Sequence, residues 1–289
     1  MNFSIITPSF RNSTWLKLCI ASVADQSGVT LEHIVQDSCS DDDTKNWLPE
    51  ERRVKAFIEK DSGMYDAVNR GFRRAQGEIL AYLNCDEQYL PGALKGVRDF
   101  FEANPHVEAV FADAIVTNGD GQYICHRPAL IPGEYSMWVR FPILTCATFV
   151  RRRVVEGKQI FFDPQWRDLG DFFWIREMLG RGVRMAVLPR LTSVFMDTGS
   201  NMGQKPNAVR ERELKWRMAP PIAQVGKYFF LLQHRIRLGL RSGARKKPFD
   251  FAAYTPSSPD RRVVLRAEHP TTFWKGRLRA SVIVDPGRN

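Results

Sequence analysis

Along the first 112 residues, short apolar runs alternate with segments of helical spacing. FSIIT at 3–7, LEHIVQ at 31–36, RVKAFIE at 53–59, EILAYL at 78–83 and VEAVFA at 107–112 read as strands. Asn12 or Ser13 can cap a helix reaching about Asp25. In residues 63–75, Met64, Ala67, Val68, Gly71, Phe72 and Ala75 share one helical face, and Pro91 opens a further helix ending near Asn104 and Pro105. Strands alternating with helices predict an α/β fold, a mostly parallel Rossmann-like sheet flanked by helices. Beyond residue 112 the pattern loosens. A hairpin is expected around Asn118–Gly121, a strand over 145–152, and a helix over 168–182 closed by Gly182. Two more strands are expected at 184–189 and 191–196.

Ligands of such sheets bind beyond the carboxyl ends of the strands. Each unusual polar cluster lies at such an end: TPSFRN (7–12), QDSCSDD (36–42), EKDSG (59–63) and NCDE (84–87). Asp86 and Glu87 can bind a divalent cation, because hard cations prefer carboxylate oxygens. They can equally be a polar strand end or a helix cap ahead of Pro91. In the acidic loop, Asp37 is nearest its strand end, whereas Asp41, Asp42 and Asp43 read as solvated loop and helix start. Asp171, at the start of the 168–182 helix, is either a cap beside Asp168 or a general base.

Composition narrows the classes. The chain has 289 residues, 44% hydrophobic and 26% charged, which suits a soluble globular protein. The net charge of +10 is uneven: from residue 205 onward 19 Lys and Arg stand against 6 Asp and Glu. Any anionic partner implied by charge therefore belongs to the tail. Five scattered cysteines, an apolar start broken by Pro8, and no apolar run of transmembrane length predict an intracellular, cytoplasmic protein. No Walker-type loop, Gly-x-Gly-x-x-Gly fingerprint, nucleophile elbow or His-Glu-x-x-His motif is present, and the five histidines are isolated. Val225, Tyr228, Phe229, Leu232, Ile236 and Leu240 follow helical spacing beside Lys227, Arg235, Arg237 and Arg241, with RKK at 245–247. Residues 222–247 are thus either a helix lying peripherally on an anionic membrane surface or a helix packed on the main domain with a solvated basic face.

SIITPSFRNSTWLKLCIASVADQ, EHIVQDSCSDDDT and EKDSGMYDAVNRGFRRAQGEILAYLNCDE together resemble family 2 glycosyltransferases of the GT-A fold. The resemblance is strong over residues 3–90 and looser over 145–203. It implies a nucleotide-sugar donor, a UDP-sugar foremost, a glycan or lipid-linked acceptor, and inversion at the anomeric carbon. By position, Thr7, Pro8, Ser9 and Arg11 would line the nucleoside site, Asp37 would bond the base, and Asn84 would sit near the ribose. Asp66 and Asn69 would lie on the helix facing the donor cleft, preceded by Asp61. Asp86, with Glu87 beside it, would hold Mg²⁺ or Mn²⁺, and Asp171 matches the family's general base. The departures are Ser38-Cys39-Ser40 in the acidic loop, Asn84 for an Asp, Glu87 for a second Asp, and Arg11 for an Asn.

The expected organisation is a catalytic domain over 1–204, its donor half 1–112 and acceptor half 113–204, followed by a basic helical extension over 205–289. Two other readings are weaker. A sugar-phosphate nucleotidyltransferase would carry a glycine-rich basic loop after the first strand, where TPSFRN has no glycine. A nucleic-acid-binding protein would meet acidic clusters in its cleft, which repel phosphate, so no nucleic-acid partner is expected.

Overall fold

Alternation of buried strands with amphipathic helices produces the layered sheet that the pattern predicts. The computed structural model describes residues 1–198, 206–242 and 247–274. Nine strands build the main sheet among the described residues: β1 (Asn2–Ser9), β2 (Thr30–Asp37), β3 (Lys55–Ile58), β4 (Ile79–Tyr82), β5 (Gln88–Tyr89), β6 (Ala109–Asn118), β7 (Tyr123–Arg127), β8 (Thr148–Arg151) and β9 (Met185–Asp197). Their order is β3-β2-β1-β4-β8-β6-β9-β5, with β7 on β6. Six of them run in the direction of β1, and β5, β7 and β8 run against it. The sheet is therefore mostly parallel, as expected.

Helices α1 (Ser13–Ala24), α2 (Thr44–Trp47), α3 (Met64–Arg74), α4 (Ala93–Ala103), α5 (Ser136–Val139) and α6 (Gly170–Gly180) connect and cover these strands. One core cluster gathers Ile6, Ile34, Val68, Phe72 and Leu80 with Phe162, Phe172 and Trp174. The other joins Phe3, Ile5 and Cys19 to Val97, Phe101 and Phe149. The start of α1 departs from expectation. Asn12 makes no capping bond. Instead Asp42, from the acidic loop, accepts the Ser13 N–H at 3.2 Å and the Thr44 N–H at 3.0 Å, so one carboxylate ties two helix starts together.

The two strands expected at 184–189 and 191–196 are one strand, β9. Its pairing with β6 continues on both sides of Pro189, and the register shifts where Ala112 faces Leu188 and Asp113 faces Leu191. Proline cannot donate to the ladder, and Pro189 and Arg190 form the bulge between Leu188 and Leu191.

After residue 205 come α7 (Pro206–Arg217), α8 (Pro221–Val225), α9 (Lys227–Ser242) and an antiparallel pair, β10 (Phe249–Thr255) and β11 (Ser258–Ala267). The boundary expected at 204/205 and residues 245 and 246 of the RKK run lie outside the described residues. The β10–β11 pair was not expected from the sequence. Phe251 and Ala253 of β10 are buried with Leu90, Ile115 and Val194 of the main domain. Tyr254 donates to Asp25 at 2.9 Å, and Arg262 of β11 pairs with the same carboxylate at 2.6 Å. Among the described residues no helix is long and apolar enough to cross a membrane.

Candidate active site

The carboxyl ends of β1, β2, β4 and β9 open into one cleft of about 920 Å³, walled further by α3, the residues after α5, the start of α6, and α7. That volume suits a ligand of nucleotide-sugar size. Of the residues expected at the site, Pro8, Ser9, Asn84, Asp86 and Asp171 line it. The Ser9 hydroxyl is buried without a hydrogen-bond partner, and an orphaned hydroxyl on a cleft wall is a group awaiting a ligand or water.

Asn84, Asp86 and Glu87 belong to a tight turn after β4. The Glu87 N–H donates to the Asn84 carbonyl at 2.9 Å, and the Asn84 N–H donates back to Glu87 Oε2 at 2.8 Å. Glu87 is 1% exposed and does not reach the cleft. Its Oε2 shapes the loop through the Asn84 N–H, while its Oε1 is buried with no hydrogen-bond partner. Burial raises the pKa of both carboxyls, and the charge of Asp86 raises that of Glu87 further.

A divalent cation fits Asp86. Mg²⁺ and similar hard ions commonly use one or two carboxylates and complete their shell with substrate phosphates and water. Asp86 offers a partly buried, cleft-facing carboxylate; among the described residues no group of three His, Cys, Asp or Glu is arranged to hold a metal by itself, so substrate phosphates and water would have to complete the shell.

Five residues expected at the donor are engaged by protein groups. Thr7 lies one position too deep in β1: its hydroxyl meets His33 at 2.9 Å and Cys19 at 3.6 Å inside the core. Burial holds that His33 near pKa 3, so it stays neutral. Arg11, held at φ 51°, turns its guanidinium onto Asp41 in an exposed pair. Both oxygens of buried Asp37 are engaged by Ser40, from N–H and hydroxyl, each at 2.7 Å. Ser38 and Asp61 face the cleft beyond it. Asp66 accepts from the Ser62 N–H at 3.0 Å and pairs with Arg70 at 2.9 Å, and it does not line the cleft. Asn69 clamps the backbone of Phe162 with both ends of its amide, at 2.7 and 2.9 Å. That clamp fixes an aromatic stack in which Phe162 lies 4.9 Å from Tyr65 and 4.4 Å from Trp174.

Asp171 sits in the first turn of α6, where the helix dipole favours a carboxylate. Its N–H donates to the Tyr65 hydroxyl at 3.1 Å, and its Oδ1 accepts the Phe172 N–H at 2.7 Å. Gly170 makes this approach possible, since a Cβ there would lie 2.5 Å from the Tyr65 ring. From α7, buried Glu211 accepts three successive backbone N–H groups, those of Arg167 at 2.8 Å, Asp168 at 3.0 Å and Leu169 at 2.9 Å. Lys215, one turn further on, donates to the Trp138 carbonyl at 3.1 Å and lies over the Phe172 ring. Burial pulls its pKa down to about 8, partly offset by the charge of Asp171. Arg140, Arg212 and Lys215 give this end of the cleft three cations. Tyr65, Gly170, Glu211 and Lys215 were not singled out from sequence; Glu211 and Lys215 fall within the basic helical extension expected over 205–289.

The model of the family described as Glycosyl transferase family 2 matches residues 4–159, more than half of the chain. The chain is 32% identical over 119 residues, 39% of its length, to a GalNAc(5)-diNAcBac-PP-undecaprenol beta-1,3-glucosyltransferase of Campylobacter jejuni. The chain spans about two fifths of the length of curated relatives such as this one. S. aureus TarS 1–349 in complex with UDP-GlcNAc superposes with a TM-score of 0.57 at 16% identity, over 83% of this chain and 73% of that one. A mannosyltransferase from Pyrobaculum calidifontis, in complex with GDP-Man and Mn2+, gives 0.53 at 18% identity, over 84% and 75%. At such identities the likeness carries the fold alone.

Proposed function

The chain belongs to glycosyl transferase family 2, and on that premise we propose that it transfers a sugar from a nucleotide-diphosphate donor to an acceptor hydroxyl with inversion. The observation that carries the reading is the meeting of Asp86 and Asp171, 85 residues apart in sequence, in one cleft at the strand ends. A UDP-sugar is the donor we favour, supported by the UDP-GlcNAc bound to TarS. Hexosyl or N-acetylhexosaminyl groups are the sugars proposed, and a glycan or lipid-linked saccharide the acceptor, supported by the undecaprenol-linked substrate in the name of the Campylobacter relative.

The donor half positions the nucleotide. Ser9, Ser38 and Asp61 offer hydroxyls and a carboxylate to the nucleoside, and the Asn84 amide stands beside Asp86 for the ribose. Mg²⁺ or Mn²⁺ held by Asp86 would neutralise charge on the diphosphate as it leaves. Asp171 takes the proton of the acceptor hydroxyl as that oxygen attacks the anomeric carbon from the face opposite the diphosphate. The C–O bond to the acceptor forms as the bond to the diphosphate breaks, so no protein nucleophile is needed. Tyr65 and Gly170 hold the Asp171 backbone in place, and the apolar stack of Tyr65, Phe162 and Trp174 gives it a rigid floor.

Asp171→Asn tests the assignment. Across a panel of nucleotide sugars with Mn²⁺ or Mg²⁺, the wild-type protein should bind and turn over one donor. The variant should bind that donor by calorimetry with transfer reduced by about 10³-fold or more. Near-normal turnover would remove Asp171 from the role of base.

A further inference from the structure

Helix α9 is turned the opposite way from a helix that merely covers a core. Its inward side carries polar anchors among apolar ones. Phe230 lies 6.4 Å from Tyr135, Arg237 donates to the Ile131 carbonyl at 2.8 Å, and Arg241 reaches buried Asp113 at 2.7 Å. The outward side of α8 and α9 carries Ile222, Val225, Tyr228, Phe229, Leu232, Ile236 and Leu240, with exposures from 52% at Ile222 to 89% at Val225. On α9 these residues recur at the three- and four-residue spacing of a single helical stripe. A helix of a water-soluble domain ordinarily buries such a stripe, and an apolar patch of this kind marks an interaction surface.

Charge selects the occupant. Between Ile222 and Ser242 there are four Lys or Arg and no Asp or Glu, and Lys227 and Arg235 are exposed. Two copies meeting through this face would oppose cation to cation with no carboxylate between them. An anionic bilayer offers both halves of the match, acyl chains for the stripe and phosphate headgroups for the cations. We propose that the outward face of α8 and α9 docks on an anionic lipid surface, the helix lying in the interface plane.

The helices that carry the docked face adjoin one wall of the cleft through their inward side. Both α8 and α9 pack on α5, and Val139, Arg140 and Phe141 at the end of α5 line the cleft beside Asp171. With the chain lying on this face, the cleft wall at Val139, Arg140 and Phe141 would stand one helix layer from the lipid, within reach of an acceptor carried on a lipid phosphate. This second step rests on the sugar-transfer reading; the docking itself does not.

Co-sedimentation of the full chain with vesicles separates the two. Partitioning should be at least tenfold stronger onto phosphatidylcholine–phosphatidylglycerol vesicles than onto pure phosphatidylcholine, and should fall as salt rises. The double variant Phe229→Ser, Leu232→Ser removes two exposed side chains, so its unfolding midpoint should match wild type while partitioning drops about tenfold or more. With a lipid-linked acceptor in the same vesicles its turnover should fall in parallel, and with a water-soluble acceptor it should not. Vesicle binding without transfer to any acceptor leaves docking standing and removes the transfer reading. Equal partitioning of variant and wild type overturns the docking. A dimer in sedimentation velocity that the double variant dissolves gives the face to a second copy and overturns it as well.

Discussion

Glu211 offers a sharp test of how the segment after residue 205 governs the site. Its buried carboxylate closes three consecutive N–H groups at the entrance of α6, from 2.8 to 3.0 Å, and Asn207 adds a fourth donor at 2.9 Å. Hydrogen bonds to an ionised group contribute about 1.5–3 kcal/mol each, and an orphaned buried donor costs about 1–3 kcal/mol. The three N–H groups lie on one loop with Arg167 exposed, so water can replace part of the loss and the contributions do not add. Glu211→Ala should therefore cost about 2–4 kcal/mol, on the order of 5–10 °C in Tm. The same loop sets the direction of Asp171 two residues later, so kcat should fall about tenfold to a hundredfold with a smaller change in donor KM. Glu211→Gln keeps one acceptor oxygen and should fall between the two. Thermal unfolding with initial rates per folded molecule measures both effects. A drop in Tm with unchanged kcat would refute the coupling to Asp171, and unchanged values of both would refute the role of the carboxylate altogether.

The other predictions concern the two ends of the cleft. Asp86→Ala should abolish the EDTA-sensitive part of donor affinity in calorimetry, while Glu87→Gln, which keeps an oxygen for the Asn84 N–H, should retain it; equal loss in both would return Glu87 to the metal. Gly170→Ala drives a methyl into the Tyr65 ring and should cost about 1–3 kcal/mol in denaturant unfolding together with lower turnover. A fully stable, fully active alanine variant would show that Tyr65 yields freely. Lys215 has a pKa of about 8 when folded against an ordinary 10.5, so the unfolded chain holds a proton that the folded chain has lost between those values. Its contribution to stability therefore rises with pH over that window, and its penalty is fully present below it. In Lys215→Met the slope of unfolding free energy against pH between 8 and 10.5 should be shallower than in wild type, and an identical slope would contradict the assignment.

Period and composition were enough to read the strand–helix alternation of residues 1–112, because each of those segments has one buried face whose spacing is written locally. They also placed the cleft, since polar clusters at consecutive strand ends converge in any sheet of this topology. That Asp86 and Asp171 line the cleft was legible through the motifs around them. Contacts across the sheet were not. Whether Thr7 faces the cleft or His33 depends on where β1 ends relative to its neighbours. Whether Asp37, Asp66 and Asn69 meet ligand or protein depends on which backbone groups the fold brings within reach. The continuity of β9 past Pro189 needed β6 alongside it, and nothing near residue 211 signals a carboxylate that closes a loop 42 to 44 residues earlier. In α9 the sequence announced an amphipathic helix but not which side would turn outward. Tertiary structure decided that, because Asp113 and the Ile131 carbonyl supply inward partners for Arg241 and Arg237 and leave the apolar stripe facing away.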